Sequence, residues 1–518
     1  MSPRVRWQGG EAEAKAPVLR WLEHGGGVLL HEGAQRRIVR LDVPGERVLL
    51  LKQFRVGSGR HPWRERARAW LGQGPGDHEW LALRRLSQAG IAVPRPLALG
   101  SLADGDRLLV MEHIVGRPLA EALAQGRHAR RELIAALGRA LLALHARGYI
   151  HADLHHGNVL ATAQGPVLLD LQRTRRSRSA AARTRDLAHL DHSLAPYLST
   201  ADRVRLRAAA LGLLRPFDPA ARTAIRAVGE AARQRTRLHA ASRRRHALRE
   251  GRAFAALAVA GARGLRQRAV CETAVAAALE AHEAALAAGD PRVLERDSRG
   301  AVCSLEVDGH RMVSKESRNR GLGRALADRL RGSPARRAWE AGHGLQILAV
   351  GSATPLAYLE WRRFGLPVRS LVLLEDLRPD EGANHVLESA PSNRRAAALD
   401  ALLALLLRLH RAGVDHGDLK SSNVLLRHSP RGFEARLIDL EGVRFLDRLP
   451  DALRVRALAQ LNASVGDALD IRERKRFFAR YAQALRFTAG PSAARTAVVR
   501  ESLARQHRWS GQGCEASR

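Results

Sequence analysis

The sequence predicts an α+β chain of two tandem domains, each with a small β-rich N-terminal lobe followed by a helical C-terminal lobe. Three observations predict it. A five-point polar constellation occurs twice, about 265 residues apart: Lys52, Glu79, Asp153, Asn158 and Asp170, then Lys315, Glu340, Asp418, Asn423 and Asp439. Each copy opens with short, turn-punctuated segments of alternating polarity, the period-two signature of strands. In each copy the Asp-x4-Asn segment follows a long apolar-periodic stretch that stops at a glycine, as a helix does.

The first domain is expected over residues 18–250 and the second over 251–510. In the first, VLLHEG, RRIVRLD and RVLLLKQF read as a three-stranded meander, with a Pro44-Gly45 turn before its last strand. A helix is expected around Asp77 to Ala89, terminated by Pro94 and Pro96. Asp106 to Ile114 forms another strand leading into a Gly116-Arg117-Pro118 link, and Arg130 to Gly148 a long helix. The second domain repeats this order. AVCSLEVDGHRMVSKE is a hairpin turning at Asp308-Gly309, a strong short-range signal. ARRAWEAGHGLQ supplies a helix, RSLVLLEDL a later strand and LDALLALLLRLHRAG the long helix. Between the halves, from about Arg203 to Gly289, runs an Arg/Ala/Leu-rich region with no flexible linker, and Gly251 to Gly264 opens the second domain.

At 518 residues the chain can bury two cores of ordinary size. Lys and Arg number 86 against 52 Asp and Glu, a net charge of +34. Such a field favours an acidic partner: a phosphorylated glycan, an anionic membrane face or nucleic acid. The chain is also saturated with Arg and Ala, so compositional drift explains the charge as readily as a binding face. No aromatic-rich motif or helix-turn-helix accompanies it, and no nucleic-acid partner is expected. Cys271, Cys303 and Cys514 lack metal or disulfide spacing. MSPRVRWQGGEAEAK lacks an apolar signal core, and the apolar run Leu402 to Leu409 is interrupted by Arg408. A soluble cytoplasmic protein is expected, with peripheral contact to the inner-membrane surface permitted by the charge.

The constellation specifies phosphate chemistry. A lysine ending a strand and held by a helix glutamate can reach nucleotide phosphates. Lys52 with Glu79 and Lys315 with Glu340 have similar separations, 79 − 52 = 27 and 340 − 315 = 25. Taken singly, a strand lysine is usually an edge residue and a helix glutamate a surface charge; pairing and duplication argue otherwise. Asp153 and Asp418 supply a carboxylate able to orient an attacking hydroxyl and accept its proton. Asn158 and Asn423 offer a carbonyl oxygen to Mg2+, and Asp170 and Asp439, at strand ends, a second hard oxygen ligand. The cluster His151, His155 and His156 fits a catalytic-loop setting better than zinc, because no Cys or further His stands at ligand spacing. Gly25-Gly26-Gly27 precedes the first strand. The turns near His31 to Arg36 and Asp297 to Gly300 are better placed to cover phosphates, although neither has G-x-G-x-x-G.

These residues resemble the Kdo/WaaP lipopolysaccharide-kinase family. The resemblance rests on LKQFRVGSGRHPWRERAR with HEWLALRRLSQAGIAVPRPLALG, on HADLHHGNVL with VLLDLQRTR, and on HGDLKSSNVLL with LIDLEGVR and RVRALAQLNAS. It implies two tandem protein-kinase-like domains that transfer the γ-phosphate of ATP, with Mg2+, to sugar hydroxyls of the lipopolysaccharide inner core. Ala152 and Gly417 stand where protein kinases carry an arginine before the catalytic Asp, so the usual receiver of an activation-loop phosphate is missing. Asp-Leu-Gln and Asp-Leu-Glu replace Asp-Phe-Gly, with no Ala-Pro-Glu after them. An aminoglycoside- or choline-type small-molecule kinase, a protein Ser/Thr kinase, and a kinase-like scaffold with one inactive half are the alternatives. Survival of all five positions in both halves argues for two competent sites.

Overall fold

A computed structural model describes residues 5–43, 47–57, 62–213, 218–319, 321–430 and 432–511; the Pro44-Gly45 turn and Cys514 lie outside them. The chain divides into two compact units, Met1–Thr236 and Arg237–Arg518. The division falls inside one helix, Pro219–Ala247.

Unit 1 carries the predicted strands in a six-stranded antiparallel sheet. Its spatial order is Arg6–Gly10, Pro96–Ser101, Arg107–Glu112, Leu49–Phe54, Arg36–Leu41 and Val28–Glu32. The strand Arg6–Gly10 and the helix Ala12–His24 were not foreseen; they pack Ala14 and Val18 onto one face of the sheet. The opposite face receives the helix Pro75–Gln88, which contributes Ala82, Leu83 and Leu86 to the main core. The helical lobe is built on Arg127–Ala146, whose Ile134, Leu137, Leu141 and Leu144 are buried at three- and four-residue spacing.

Unit 2 repeats the plan with a seven-stranded sheet. Ala262–Gln267 takes the edge place of Arg6–Gly10, and Phe254–Val259 pairs outside it as the one added strand. Gly300–Val307 and His310–Arg318 form the predicted hairpin, and Asp308 and Gly309 both take positive φ, 50° and 73°, as a tight primed turn requires. The helix Pro334–Ile347 packs on this sheet through Trp339, which is fully buried. The indole of Trp339 touches Phe254, His343 and Tyr358, and its N–H donates to the Ala247 carbonyl at 2.7 Å. The long helix Ser392–Arg411 presents Leu402, Leu405, Leu406 and Leu409 to the same core.

Truncating so large a buried side chain leaves a cavity and an unpaired carbonyl. Trp339→Ala should cost unit 2 about 3–5 kcal/mol, read as a lowered denaturation midpoint. Trp80, half-buried at the corresponding helix position of unit 1, should cost less when truncated.

Candidate active site

In unit 1 the three segments predicted to hold phosphate chemistry converge on one buried lysine. Lys52, on the strand Leu49–Phe54, directs Nζ to Glu79 Oε1 at 2.7 Å and to Asp170 Oδ1 at 3.5 Å. Glu79 Oε1 also accepts the backbone N–H of Leu171 at 3.3 Å, which ties the helix Pro75–Gln88 to the turn after Asp170. The second oxygen of Asp170 accepts from Arg36 Nη1 at 2.9 Å. Burial alone would raise the Asp170 carboxyl, but Lys52 and Arg36 outweigh it and hold the group below the usual carboxylate range. Asp170 is therefore an anion at neutral pH.

The Asp-x4-Asn loop is built the same way in both units. Asn158 Nδ2 donates to the Asp153 carbonyl at 2.9 Å, and Asn423 Nδ2 to that of Asp418 at 2.9 Å. His151 and His416 do not face outward; each Nε2–H donates to the carbonyl just before the strand-end aspartate, Leu169 at 2.9 Å and Ile438 at 3.1 Å. Asp170 (φ 56°, ψ 63°) and Asp439 (φ 59°, ψ 62°) both take the left-handed conformation, which turns the carboxylate out of the strand line. Ala152 adopts φ 62°, and Gly417 φ 87°. The alanine is held there by Asp186, whose carboxylate accepts the His151 and Ala152 amides at 2.9 Å each. At Gly417 only glycine fits, because a Cβ would meet the Gly442 carbonyl at 2.7 Å.

Around the predicted catalytic aspartates the units differ. Asp153 lies 3.9 Å from His189 Nδ1 and 3.7 Å from Arg173. Burial, reinforced by Arg235, lowers His189 to about 4, and burial also lowers His155, so neutral imidazoles line this side of Asp153. Asp418 instead pairs with Lys420 at 2.9 Å, and its loop is braced by Gln460, which accepts from the Leu419 amide and donates to the Gly417 carbonyl. Ser193 and Ser464 fix the register, each accepting one loop amide, from His156 and Ser421. By that register Gln460 stands where unit 1 has His189: 193 − 189 = 4 and 464 − 460 = 4.

The lysine pair expected in unit 2 is different. Lys315 Nζ contacts Asp439 at 2.5 Å and Glu441 at 3.3 Å, whereas Glu340 lies 3.7 Å from Arg244. The reason is helical register. Pro75 and Pro334 each open their helix, and Trp80 and Trp339 each follow five residues later, so Glu79 corresponds to Ala338. Glu340 stands two residues beyond, rotated by about 200° onto another face. Gly342, one turn after Ala338, packs so closely on Pro355 and Leu440 that a Cβ would meet Pro355 at 2.3 Å; this is the face turned to the metal loop. Counting from the lysine misaligned the halves because the connection to the helix is shorter in unit 2, 334 − 315 = 19 against 75 − 52 = 23.

Glu441, missed in the sequence, takes over the role of lysine partner. Its carbonyl accepts from Arg337 Nε at 3.1 Å, which pins it beside the helix. Burial would lower the Lys315 ammonium, but Glu441 and Asp439 outweigh it and hold it above its ordinary value. Lys315, Asp439, Glu441, Asp297, Arg299 and Gly300 line one cavity of about 300 Å³, which brings the turn Asp297 to Gly300 over the lysine. Gly300 occupies the strand position of Arg36, two residues from the neighbour of each lysine, so unit 2 has no counterpart of the Arg36–Asp170 pair.

A family model described as the lipopolysaccharide kinase (Kdo/WaaP) family matches the chain twice, over residues 21–209 and 295–481. The chain belongs to that family. It is a kinase, duplicated in tandem. Among solved structures it is similar to "WaaP in complex with acyl carrier protein", at 24% identity and a TM-score of 0.34, over 42% of this chain and 89% of that one. No curated protein matches it.

Two outcomes test the site. In a Lys52→Met background, Glu441→Gln should lower phosphoryl transfer at least about tenfold, the loss of one charge-assisted bond, while Glu340→Gln leaves it unchanged. His189 lies well below its ordinary value of 6.5 when folded, so the unfolded chain binds its proton first. Its stabilising contribution is complete above that value and is lost as the pH falls towards 4. His189→Gln, the residue of unit 2, should flatten the acid-side fall in denaturation midpoint over that window.

Proposed function

We propose that the chain transfers the γ-phosphate of ATP to a hydroxyl of a lipopolysaccharide inner-core sugar, and that unit 1 carries the more fully equipped site. The observation that supports this most directly is the convergence of Lys52, Glu79 and Asp170 next to the Asp153–Asn158 loop. Lys52, oriented by Glu79, would bind the α- and β-phosphates. The Asp153 carboxylate would accept the proton of the sugar hydroxyl as its oxygen forms the new bond to the γ-phosphorus. The bond from that phosphorus to the bridging oxygen breaks, and ADP leaves with the electron pair.

The donor set fits Mg2+. Asp170 and Asn158 offer hard oxygen ligands, and Mg2+ characteristically takes one or two protein ligands alongside substrate phosphates. Among the described residues no group of three or more His, Cys, Asp or Glu could hold a metal ion, so the remaining ligands would come from phosphate and water. When bound, Mg2+ would neutralise charge on the β- and γ-oxygens. Asp170 is paired with Arg36, so an Asp170 oxygen used as a metal ligand would have to be shared with or released by that guanidinium.

A second reading applies to unit 2. Ala338 in place of a helix glutamate fits a unit whose chemistry is altered or given up, while Glu441 fits one that has kept it by another route. The absence of an arginine before Asp153 and Asp418 supports a non-protein acceptor. No helix among the described residues is long and apolar enough to cross a membrane.

The test is transfer from labelled ATP to purified lipopolysaccharide, set against protein and aminoglycoside acceptors. Asp153→Asn should lower the rate about 10²–10⁴-fold, as loss of a general base does. A remainder abolished by adding Asp418→Asn would assign it to unit 2. Full activity in the double variant would refute the mechanism.

A further inference from the structure

Between the lysine strand and the next long helix, each unit inserts a short helix whose apolar residues face solvent. In unit 2 this is Leu322–Arg331. Leu322, Leu326 and Leu330 fall at i, i+4 and i+8 and so form one stripe. Their exposures run from 55 to 82%. Beside them the tip of the hairpin Pro355–Arg363 with Leu366–Glu375 carries Phe364, 91% exposed. Arg329 Nη1 fastens the helix to that tip by donating to the Gly365 carbonyl at 3.0 Å. In unit 1 the helix is Pro62–Trp70, where Trp63 and Trp70, seven residues apart, are 67 and 86% exposed.

The solvent-facing charges on the helix and hairpin tip of unit 2 are arginines. Arg324, Arg329 and Arg331 on the helix and Arg362 and Arg363 at the hairpin tip surround the unit 2 stripe. The only acid of that helix, Asp328, is buried and bound by Arg337 at 2.9 Å and Asn319 at 3.0 Å. Unit 1 has Arg64, Arg66 and Arg68 beside its tryptophans, and Glu65 is turned inward to accept the Gly57 amide at 3.0 Å. With Asp328 buried and Glu65 half-buried on a backbone amide, the exposed groups of these helices are mainly apolar and cationic.

We propose that this helix in each unit is an interfacial anchor for a bilayer surface of anionic lipid. Large apolar groups flanked by arginines are what such a surface takes up: side chains enter the headgroup boundary while guanidinium groups meet lipid phosphates. Side chains this exposed project from the protein, which suits insertion better than docking to a protein. A second copy is a poor occupant, because face-to-face pairing would oppose arginine to arginine. In unit 2 the anchor stands at the mouth of the candidate site, since Arg324 lines the cavity that holds Lys315. The inference deepens the glycolipid reading above: an acceptor embedded in a bilayer would meet the site where the protein meets the lipid.

The experiment is co-sedimentation of the full chain with vesicles of phosphatidylcholine alone or mixed with phosphatidylglycerol. Binding only to the mixed vesicles, weakened by salt, is expected. Leu322→Ser/Leu326→Ser/Leu330→Ser/Phe364→Ser combined with Trp63→Ser/Trp70→Ser should weaken it at least about tenfold, and Arg331→Gln/Arg363→Gln should reduce its salt dependence. Thermal midpoint and phosphorylation of water-soluble, delipidated core oligosaccharide should be unchanged in the apolar variant. Undiminished vesicle binding by that variant would overturn the proposal. So would a wild type that ignores both vesicle types, or one in which the same substitutions abolish only self-association or capture by an acidic protein. Variant-sensitive vesicle binding without any sugar phosphorylation would leave the anchor standing and remove the glycolipid-kinase reading. Oligosaccharide phosphorylation with variant-insensitive vesicle binding would do the reverse.

Discussion

The structure of unit 1 depends on compensating one buried ammonium. Lys52 is removed from water on a central strand, and an uncompensated charge there would cost several kcal/mol. Glu79 and Asp170 compensate it, and they come from a helix and a strand end far away in sequence. Satisfying the lysine therefore requires the sheet, the helix Pro75–Gln88 and the metal loop to assemble around it. The Leu171 amide on Glu79 and the His151 bond to the Leu169 carbonyl extend the same constraint into the catalytic loop. A charge that is costly for stability thus fixes the relative positions of Lys52, Glu79 and Asp170.

Unit 2 meets the same constraint with different residues. Its helix offers Ala338 to the lysine, and the missing carboxylate comes from Glu441, two residues beyond Asp439. Both acids now belong to one loop, and Arg337 returns that loop to the helix through the Glu441 carbonyl. The site is also more open. The side chain of Lys315 is 26% exposed against 7% for Lys52, so the desolvation to be offset is smaller. The pairing of one lysine with two acids persists, while the element that supplies the second acid has changed.

Much of this was legible because it is local or duplicated. The Asp-x4-Asn spacing, the Asp308-Gly309 turn and the long helices follow from rules that act over a few residues, and the structure carries them within a few residues of the expected bounds. Helix register was not legible from lysine spacing. A four-residue difference in a connecting segment changes which side chain faces the sheet, and only the Pro–Trp spacing inside each helix reveals it. Asp186, Gln460 and the two serines act through backbone amides, and a sequence gives no direct signal for that. Glu441 was visible in Asp-Leu-Glu but was read only as a departure from Asp-Phe-Gly. Its partner became evident once the fold brought Lys315 within 3.3 Å.

The two sites are therefore not interchangeable copies. Next to Asp153 stand His155 and His189, both lowered by burial, so the nearest cation is Arg173 at 3.7 Å on an exposed side chain. Next to Asp418 stands Lys420 at 2.9 Å, a permanent positive charge at the position held by His155 in unit 1. Lys420 holds its ammonium directly on Asp418, whereas around Asp153 two uncharged imidazoles share the space with the Arg173 guanidinium at 3.7 Å. Conversely, the metal-loop aspartate is neutralised by both Lys52 and Arg36 in unit 1, whereas Gly300 removes the second cation in unit 2. Asp170 in unit 1 thus has two cationic partners and Asp439 one, while Asp418 has a lysine closer than any cation at Asp153. The two sites share a scaffold and a lysine held by two acids, and they differ in which element supplies the second acid and in the charge placed beside the loop aspartate.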